Sequence, residues 1–306
     1  MYDTVVMFLE NSYFPDDCIN NAKEIIDKET GEKTLIGKLD NLRIKKNPNG
    51  SLVNGSLAKY YLGSNLFQLK RKDVKLAIEK ISDSLKLPFQ ESKIYRLDWG
   101  ANFILNKPLQ FYYLCLGDKP RFIKNDLAKK GTLQYITDEE VLVFYNKLKE
   151  MKRSRQNIPE TFIGKNVLRY EARIIKKVAM HMKLPEIKAK NLSEENFYRQ
   201  GVNLWKDLYF SIHRDYPLKF DRESLPFLNS RKLLKAFAAL IVKDVGVDKL
   251  LKLLDASKNS IKHREQYQRM KKLILELSNH PALTEPNEAI IELDKKIVEK
   301  AEEAYE

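Results

Sequence analysis

Cysteine is nearly absent from the 306 residues, and the two that occur, Cys18 and Cys115, lie far apart. No disulfide framework and no cysteine zinc cluster can be built from them, which suits a reducing compartment. Histidine is also scarce, at four residues. No apolar run approaches the roughly 20 residues that a membrane helix needs. The N-terminal stretch has apolar character only over Thr4 to Leu9 and carries no basic leader, so a secretory signal is not expected. These features point to a cytoplasmic protein without a membrane partner.

Positive charge and apolar residues are what the chain has in quantity. Lys and Arg number 55 against 42 acidic residues, a net charge of +13, and 43% of residues are hydrophobic. A disordered chain is poorer in apolar residues, so this one folds. The charge excess favours an anionic polymer, with nucleic acid first, and says nothing about fold.

The first part of the chain alternates short β-rich runs with one clear helix. Thr4 to Leu9, Leu35 to Ile44, Ser56 to Leu62, Ile94 to Trp99, Phe111 to Leu116, Thr132 to Ile136, Val141 to Lys147 and Val167 to Ile175 read as strands, with a hairpin around Thr137 to Glu140. Asp73 to Leu87 carries Val74, Ile78, Ile81 and Leu85 on one helical face, with Asp73 as the expected N-cap. From about Leu192 periodic helices replace strands: Phe197 to His213, Arg231 to Val245, Val247 to Ala256, Lys262 to Ser278 and Asn287 to Tyr305. The expected class is α+β. A mixed or antiparallel sheet with helices should occupy residues 1–190, and a helical DNA-binding or interaction region residues 191–306.

Side chains two apart on a strand share a face. Arg96 and Asp98 therefore lie together, as do Arg169, Glu171 and Arg173, while Tyr145 shares a side with Lys147. Lys147, Lys149, Lys152, Arg153 and Arg155 form a basic run, and Glu150 can join the carboxylates only if the chain turns helical or bulges after Asn146. Each pattern alone is also what the solvated side of a half-buried sheet looks like. The helices flanking Gly246 have helix-turn-helix spacing, with Lys243, Lys249, Lys252, Lys258 and Lys262 available for phosphates, but a bundle corner looks the same.

Arg96-Leu97-Asp98, then Leu142-Val143-Phe144-Tyr145 with Lys147 and Glu150, then Leu168-Arg169-Tyr170-Glu171-Ala172-Arg173-Ile174 together resemble the gene II replication initiators of filamentous phages and related phage and plasmid replication proteins. A fainter similarity runs through Ala239-Leu240, Gly246-Val247 and Leu250 to Leu254. The resemblance implies a rolling-circle initiator that nicks and rejoins origin DNA, with Tyr145 as nucleophile and a 5′-phosphotyrosine intermediate. A phenol with pKa near 10 needs a neighbouring cation, metal or base to become a good nucleophile, and Lys147 is the nearest candidate.

The same resemblance implies a divalent ion, Mg2+ or Mn2+, on Asp98, Glu171 and Glu150. Arg96, Arg169 and Arg173 would grip phosphates or clamp the carboxylates. Lys149, Lys152, Arg153 and Arg155 would line the DNA track. Many rolling-circle nickases hold metal through two histidines spaced by one residue. None of His181, His213, His263 and His280 has such a partner, so oxygen ligands are expected. The implied partners are single-stranded or locally melted origin DNA and a host helicase, with a homodimer compatible. Two other readings fit the same residues: a non-catalytic origin or operator binder, and a metal nuclease that activates water. A tyrosine recombinase fits the Arg and Tyr content but not a β-rich catalytic region.

Overall fold

A computed structural model describes residues 1–127, 131–215, 230–258, 261, 264–278 and 288–305. The fold is α+β, as expected. Its strands are β1 (Tyr2–Glu10), β2 (Asn20–Ile26), β3 (Lys33–Leu39), β4 (Leu42–Asn47), β5 (Gly50–Ser56), β6 (Lys93–Leu105), β7 (Ile123–Leu127), β8 (Thr132–Ile136), β9 (Glu140–Asn146) and β10 (Asn166–Ile174). The helices are α1 (Leu57–Leu62), α2 (Arg71–Leu85), α3 (Leu109–Cys115), α4 (Lys147–Arg153), α5 (Val178–His181), α6 (Glu195–Phe210), α7 (Ser230–Val245), α8 (Val247–Ala256), α9 (Arg264–Ser278) and α10 (Glu288–Tyr305).

The ten strands form one antiparallel sheet in the order β2-β3-β4-β5-β1-β6-β10-β9-β8-β7. The three segments of the family resemblance thereby become neighbours: β6, β10 and β9 lie side by side. The expected hairpin at residues 137–140 joins β8 to β9, with Thr137 N–H donating to the Glu140 carbonyl at 2.9 Å.

Two expected strands are helices. Ser56 to Leu62 divides after Ser56, whose hydroxyl accepts the Lys59 N–H and caps α1, while Gly63 closes that helix at φ 75°. Phe111 to Leu116 falls in α3, which begins after Pro108. Aromatic content suggests strands at both places, but the capping residues decide. The Leu35 to Ile44 run is broken by a turn into β3 and β4. Asp73 lies in the first turn of α2 rather than at its cap, which is Lys70; its charge still complements the helix N-terminus.

Alternation gives β6, β9 and β10 one apolar face. Leu97, Trp99, Leu142, Phe144, Leu168, Tyr170 and Ala172 are buried in a core that also takes in Phe197, Trp205 and Tyr209 of α6 and Leu293 and Ile297 of α10. Phe144 stacks on Tyr170 with ring centroids 4.6 Å apart, and Tyr170 meets Trp205 at 5.2 Å. Such pairs add about 0.5–1.5 kcal/mol beyond their buried area. Gly201 lets α6 come this close, because a Cβ there would lie 2.5 Å from the Trp99 indole nitrogen. Ala239, Val242, Val247, Leu251 and Leu277 of α7, α8 and α9 form a separate small core. No helix among the described residues is long and apolar enough to cross a membrane.

Candidate active site

The face of the sheet opposite α6 carries the polar residues, and strand register sets them in rows. Tyr145 of β9, Arg169 of β10 and Asn102 of β6 are directly paired across three strands. The next row is Val143, Glu171 and Gly100, and the one after is Val141, Arg173 and Asp98. Tyr145 is the penultimate residue of its strand, which ends at Asn146, where the side chain caps α4 by accepting the Lys149 N–H at 2.9 Å.

Glu171 is the centre of this arrangement. Its Oε1 accepts from the Tyr145 phenol at 2.8 Å and from Arg169 Nε at 2.6 Å. Its Oε2 accepts from Arg173 Nε at 2.8 Å and Nη2 at 2.6 Å. These donors fill the roughly four lone-pair positions that a carboxylate offers. Gly100 makes room for them: a Cβ at that position would stand 2.9 Å from both Arg169 Nη2 and Glu171 Cγ.

Asp98 sits one row away, chelated by Arg96 through Nε at 2.9 Å and Nη2 at 2.7 Å, with Arg173 Nε 3.9 Å from its Oδ2. The charged face is not the solvated side of the sheet. Asp98 is 1% exposed, and Arg169 and Glu171 are each 3% exposed. Burial pushes the Asp98 carboxyl up to about 6; the Arg96 guanidinium opposes this, and the charge of Glu171 adds to it. Burial and then the Glu171 charge raise the Tyr145 phenol well above its ordinary value, so it holds its proton at rest.

Of its two expected roles, gripping phosphates or clamping carboxylates, the contacts of Arg169 are those of the clamp. Its Nη2 bonds Asp3 Oδ2 at 2.6 Å, its Nη1 bonds the Asn65 carbonyl at 3.0 Å and Asn102 Oδ1 at 3.2 Å, and its Nε holds Glu171. It is a buried clamp. Asp3 also accepts from the Ser56 hydroxyl at 2.5 Å and from Asn65 Nδ2 at 3.3 Å. Burial pushes Asp3 upward, but Arg169 and Ser56 outweigh it and hold the carboxyl well below the usual range. Sequence reasoning missed Asp3, Asn65 and Asn102. The one signal for Asp3 was a carboxylate set within the apolar strand that starts at Tyr2.

Two further expectations are corrected. The chain does turn helical after Asn146, yet Glu150 makes no three-carboxylate group with Asp98 and Glu171; it pairs with Lys147 at 2.6 Å and with Lys59 at 3.7 Å. Lys147 is fully buried and bonds Glu150 and Asn65 Oδ1, the latter at 2.7 Å, rather than the phenol. Burial, with help from Arg169, lowers its pKa. A buried chain of polar contacts thus links Tyr145 to Glu171, Arg169, Asp3, Asn65, Lys147 and finally Glu150.

Arg96 and Arg173 keep 30% of their side chains exposed, and Lys149, Lys152, Arg153 and Arg155 are exposed along and after α4. His181 lies against Glu139 and Glu140, away from this cluster. His213 contacts Ser278. His263, His280, Lys262 and the Lys243 side chain lie outside the described residues.

Among the described residues no three His, Cys, Asp or Glu side chains form a ready cation site. Two of the three expected oxygen donors, Asp98 and Glu171, do stand in adjacent rows with the Arg173 guanidinium against both. Their chemistry suits a hard divalent ion, and a positive charge already bridges them.

No curated protein matches the chain. A family model described as the N-terminal part of the gene II-type replication-associated protein matches residues 1–195, which span the whole sheet and every residue of the cluster. The chain belongs to that family, the gene II-type phage replication initiators.

Proposed function

We propose that this initiator is a sequence-specific, metal-dependent DNA nickase and strand joiner that works through Tyr145. The observation that carries the reading is the 2.8 Å hydrogen bond from the Tyr145 phenol to Glu171, on a carboxylate fixed by two arginines.

In the forward step the phenolic oxygen attacks the phosphorus of a single-stranded origin phosphodiester, and its proton passes to Glu171 Oε1. The bond from phosphorus to the 3′ oxygen breaks, that oxygen takes up a proton from solvent, and the 5′ side of the DNA stays on Tyr145 as a phosphodiester. The phenol is too weak an acid to ionise first, so proton transfer accompanies bond formation. Arg169 and Asp3 hold Glu171 in line; Arg96 and Arg173, half-buried at the edge of the cluster, offer N–H groups to the equatorial phosphate oxygens. In the reverse step a 3′ hydroxyl attacks the phosphotyrosine and releases its proton to solvent, the bond from phosphorus to the tyrosyl oxygen breaks, and Glu171 returns the proton to that oxygen, which seals the strand.

Asp98 and Glu171 would hold Mg2+ or Mn2+ in place of the Arg173 guanidinium that lies against both, and the ion would neutralise charge on the phosphate oxygens when bound. Lys149, Lys152, Arg153 and Arg155 would carry the flanking phosphates. Incubation with labelled single-stranded origin DNA and a divalent ion tests the reading. A denaturation-resistant adduct is expected with the parent protein and none with Tyr145→Phe, and retained full nicking in EDTA would contradict the metal requirement.

A further inference from the structure

Beyond Arg169 the polar face opens into a cavity of about 230 Å3, walled by Arg169, Asn102, Ile104, Asn65, Phe67 and Phe162 among others. Phe67 is 55% exposed and meets Phe162 edge-on at 6.5 Å. Through Gln68 and Lys300 this cavity adjoins a second one of about 520 Å3, lined by Lys70, Arg71 and Lys72. Lys70 and Lys72 are exposed; Arg71 pairs with Glu195 at 3.8 Å and Lys300 with Glu303 at 2.5 Å.

An aromatic ring half in water at the mouth of a cavity offers a flat apolar face to a planar partner. The first cavity is smaller than the roughly 300–1,000 Å3 of pockets for drug-sized ligands, and suits a single ring system. Lys70 and Lys72, exposed on the cavity next to it, suit a polyanion. A single nucleic-acid strand joins both features in one molecule, with planar bases that stack on aromatic side chains and phosphates that follow cations. We infer that an unpaired DNA base seats against Phe67 and Phe162 while the adjoining phosphates run past Lys70 and Lys72. Resting on the nicking reading, the inference adds a subsite: the seated base fixes which phosphodiester lies at Tyr145, since Arg169 forms a wall of the cavity and also clamps the Tyr145 partner Glu171.

The test uses the full chain carrying Tyr145→Phe, so that binding is read without covalent capture. Fluorescence anisotropy compares a ten-nucleotide oligothymidylate with an abasic deoxyribose-phosphate strand of equal length and charge. The base-bearing strand should bind about 5- to 150-fold more tightly, the range that one stacked base supplies. Adding Phe67→Ala and Phe162→Ala should abolish that preference and leave abasic binding unchanged, while Lys70→Ala with Lys72→Ala should weaken both strands alike. Phe111→Ala, an exposed aromatic outside the cavity, should keep the preference. Equal binding of the two strands, a preference that survives loss of both phenylalanines, or its loss in Phe111→Ala would overturn the subsite. Adduct formation with Tyr145 intact reads the nicking separately. An adduct without base preference removes the subsite alone, and base preference without an adduct removes the nickase alone.

Discussion

Arg169 and Asp3 stand 166 residues apart in the chain and 2.6 Å apart in the fold. The contact depends on an irregularity in β1, where Tyr2 pairs with Trp99 and Val5 with Leu97. Strict alternation would put Tyr2 and Val5 on opposite faces; the extra residue puts both over the apolar face and brings Asp3 to the arginine. Through Arg169, the first strand therefore controls the position of Glu171.

Removing the Asp3 carboxylate leaves a guanidinium buried with one side unpaired. Asp3→Ala should cost about 3–5 kcal/mol in urea denaturation, as breaking a buried pair by deleting one partner does. The pH sign follows from a folded pKa below the unfolded value. The contribution is complete above about pH 4 and is lost as pH falls through the depressed folded value. The variant should lack that part of the acid sensitivity.

Gly100→Ala places a methyl against Arg169 and Glu171 without touching Tyr145. Adduct formation should fall about 10- to 100-fold, the effect of moving a catalytic group by a fraction of an ångström to an ångström. Affinity for single-stranded DNA should stay within about twofold, because the exposed cations are not disturbed. Undiminished adduct formation would show that the Glu171 position is not critical.

Asp98 has the opposite linkage. Its carboxyl is raised to about 6, so the folded protein holds a proton that the unfolded chain releases near pH 4. The stabilising effect of that proton is fully present below about pH 4 and is lost as pH rises through 6. In EDTA, Asp98→Asn should be less sensitive than the parent across this window, by about 1–3 kcal/mol. Denaturation at pH 4, 5, 6 and 7 measures it.

Neutralising Lys149, Lys152, Arg153 and Arg155 should flatten the salt dependence of single-strand binding. Every phosphate that no longer meets a cation should reduce the log-log slope by about 0.7. An unchanged slope would remove this exposed run from the DNA path.

Local pattern carries most of the site. Alternation in β6 and β10 places Arg96 with Asp98 and Glu171 between its arginines, and the same logic puts Phe144 and Tyr170 in the core. Three features are not local. Asp3 reaches the site through a bulge and a long-range pair, which no spacing rule encodes. Whether the charged face meets water depends on what covers it, and Asp98 and Glu171 are buried. The side chain of Glu150 is held by Lys59 and Lys147, partners that come from the fold and not from its spacing to the other carboxylates. Strand patterns mislead where aromatics crowd short helices: Ser56 before α1 and Pro108 before α3 are the legible stops that outweigh Tyr60-Tyr61 and Tyr112-Tyr113.

Peptide mapping of the covalent complex decides whether Tyr145 is the nucleophile. After incubation with single-stranded origin DNA and a divalent ion, followed by nuclease and protease digestion, mass spectrometry locates the residual nucleotide. A phosphodiester on Tyr145 is expected, lost in Tyr145→Phe and strongly reduced in Glu171→Gln. A nucleotide on any of the other tyrosines, or cleaved DNA with no protein attached, would overturn the assignment.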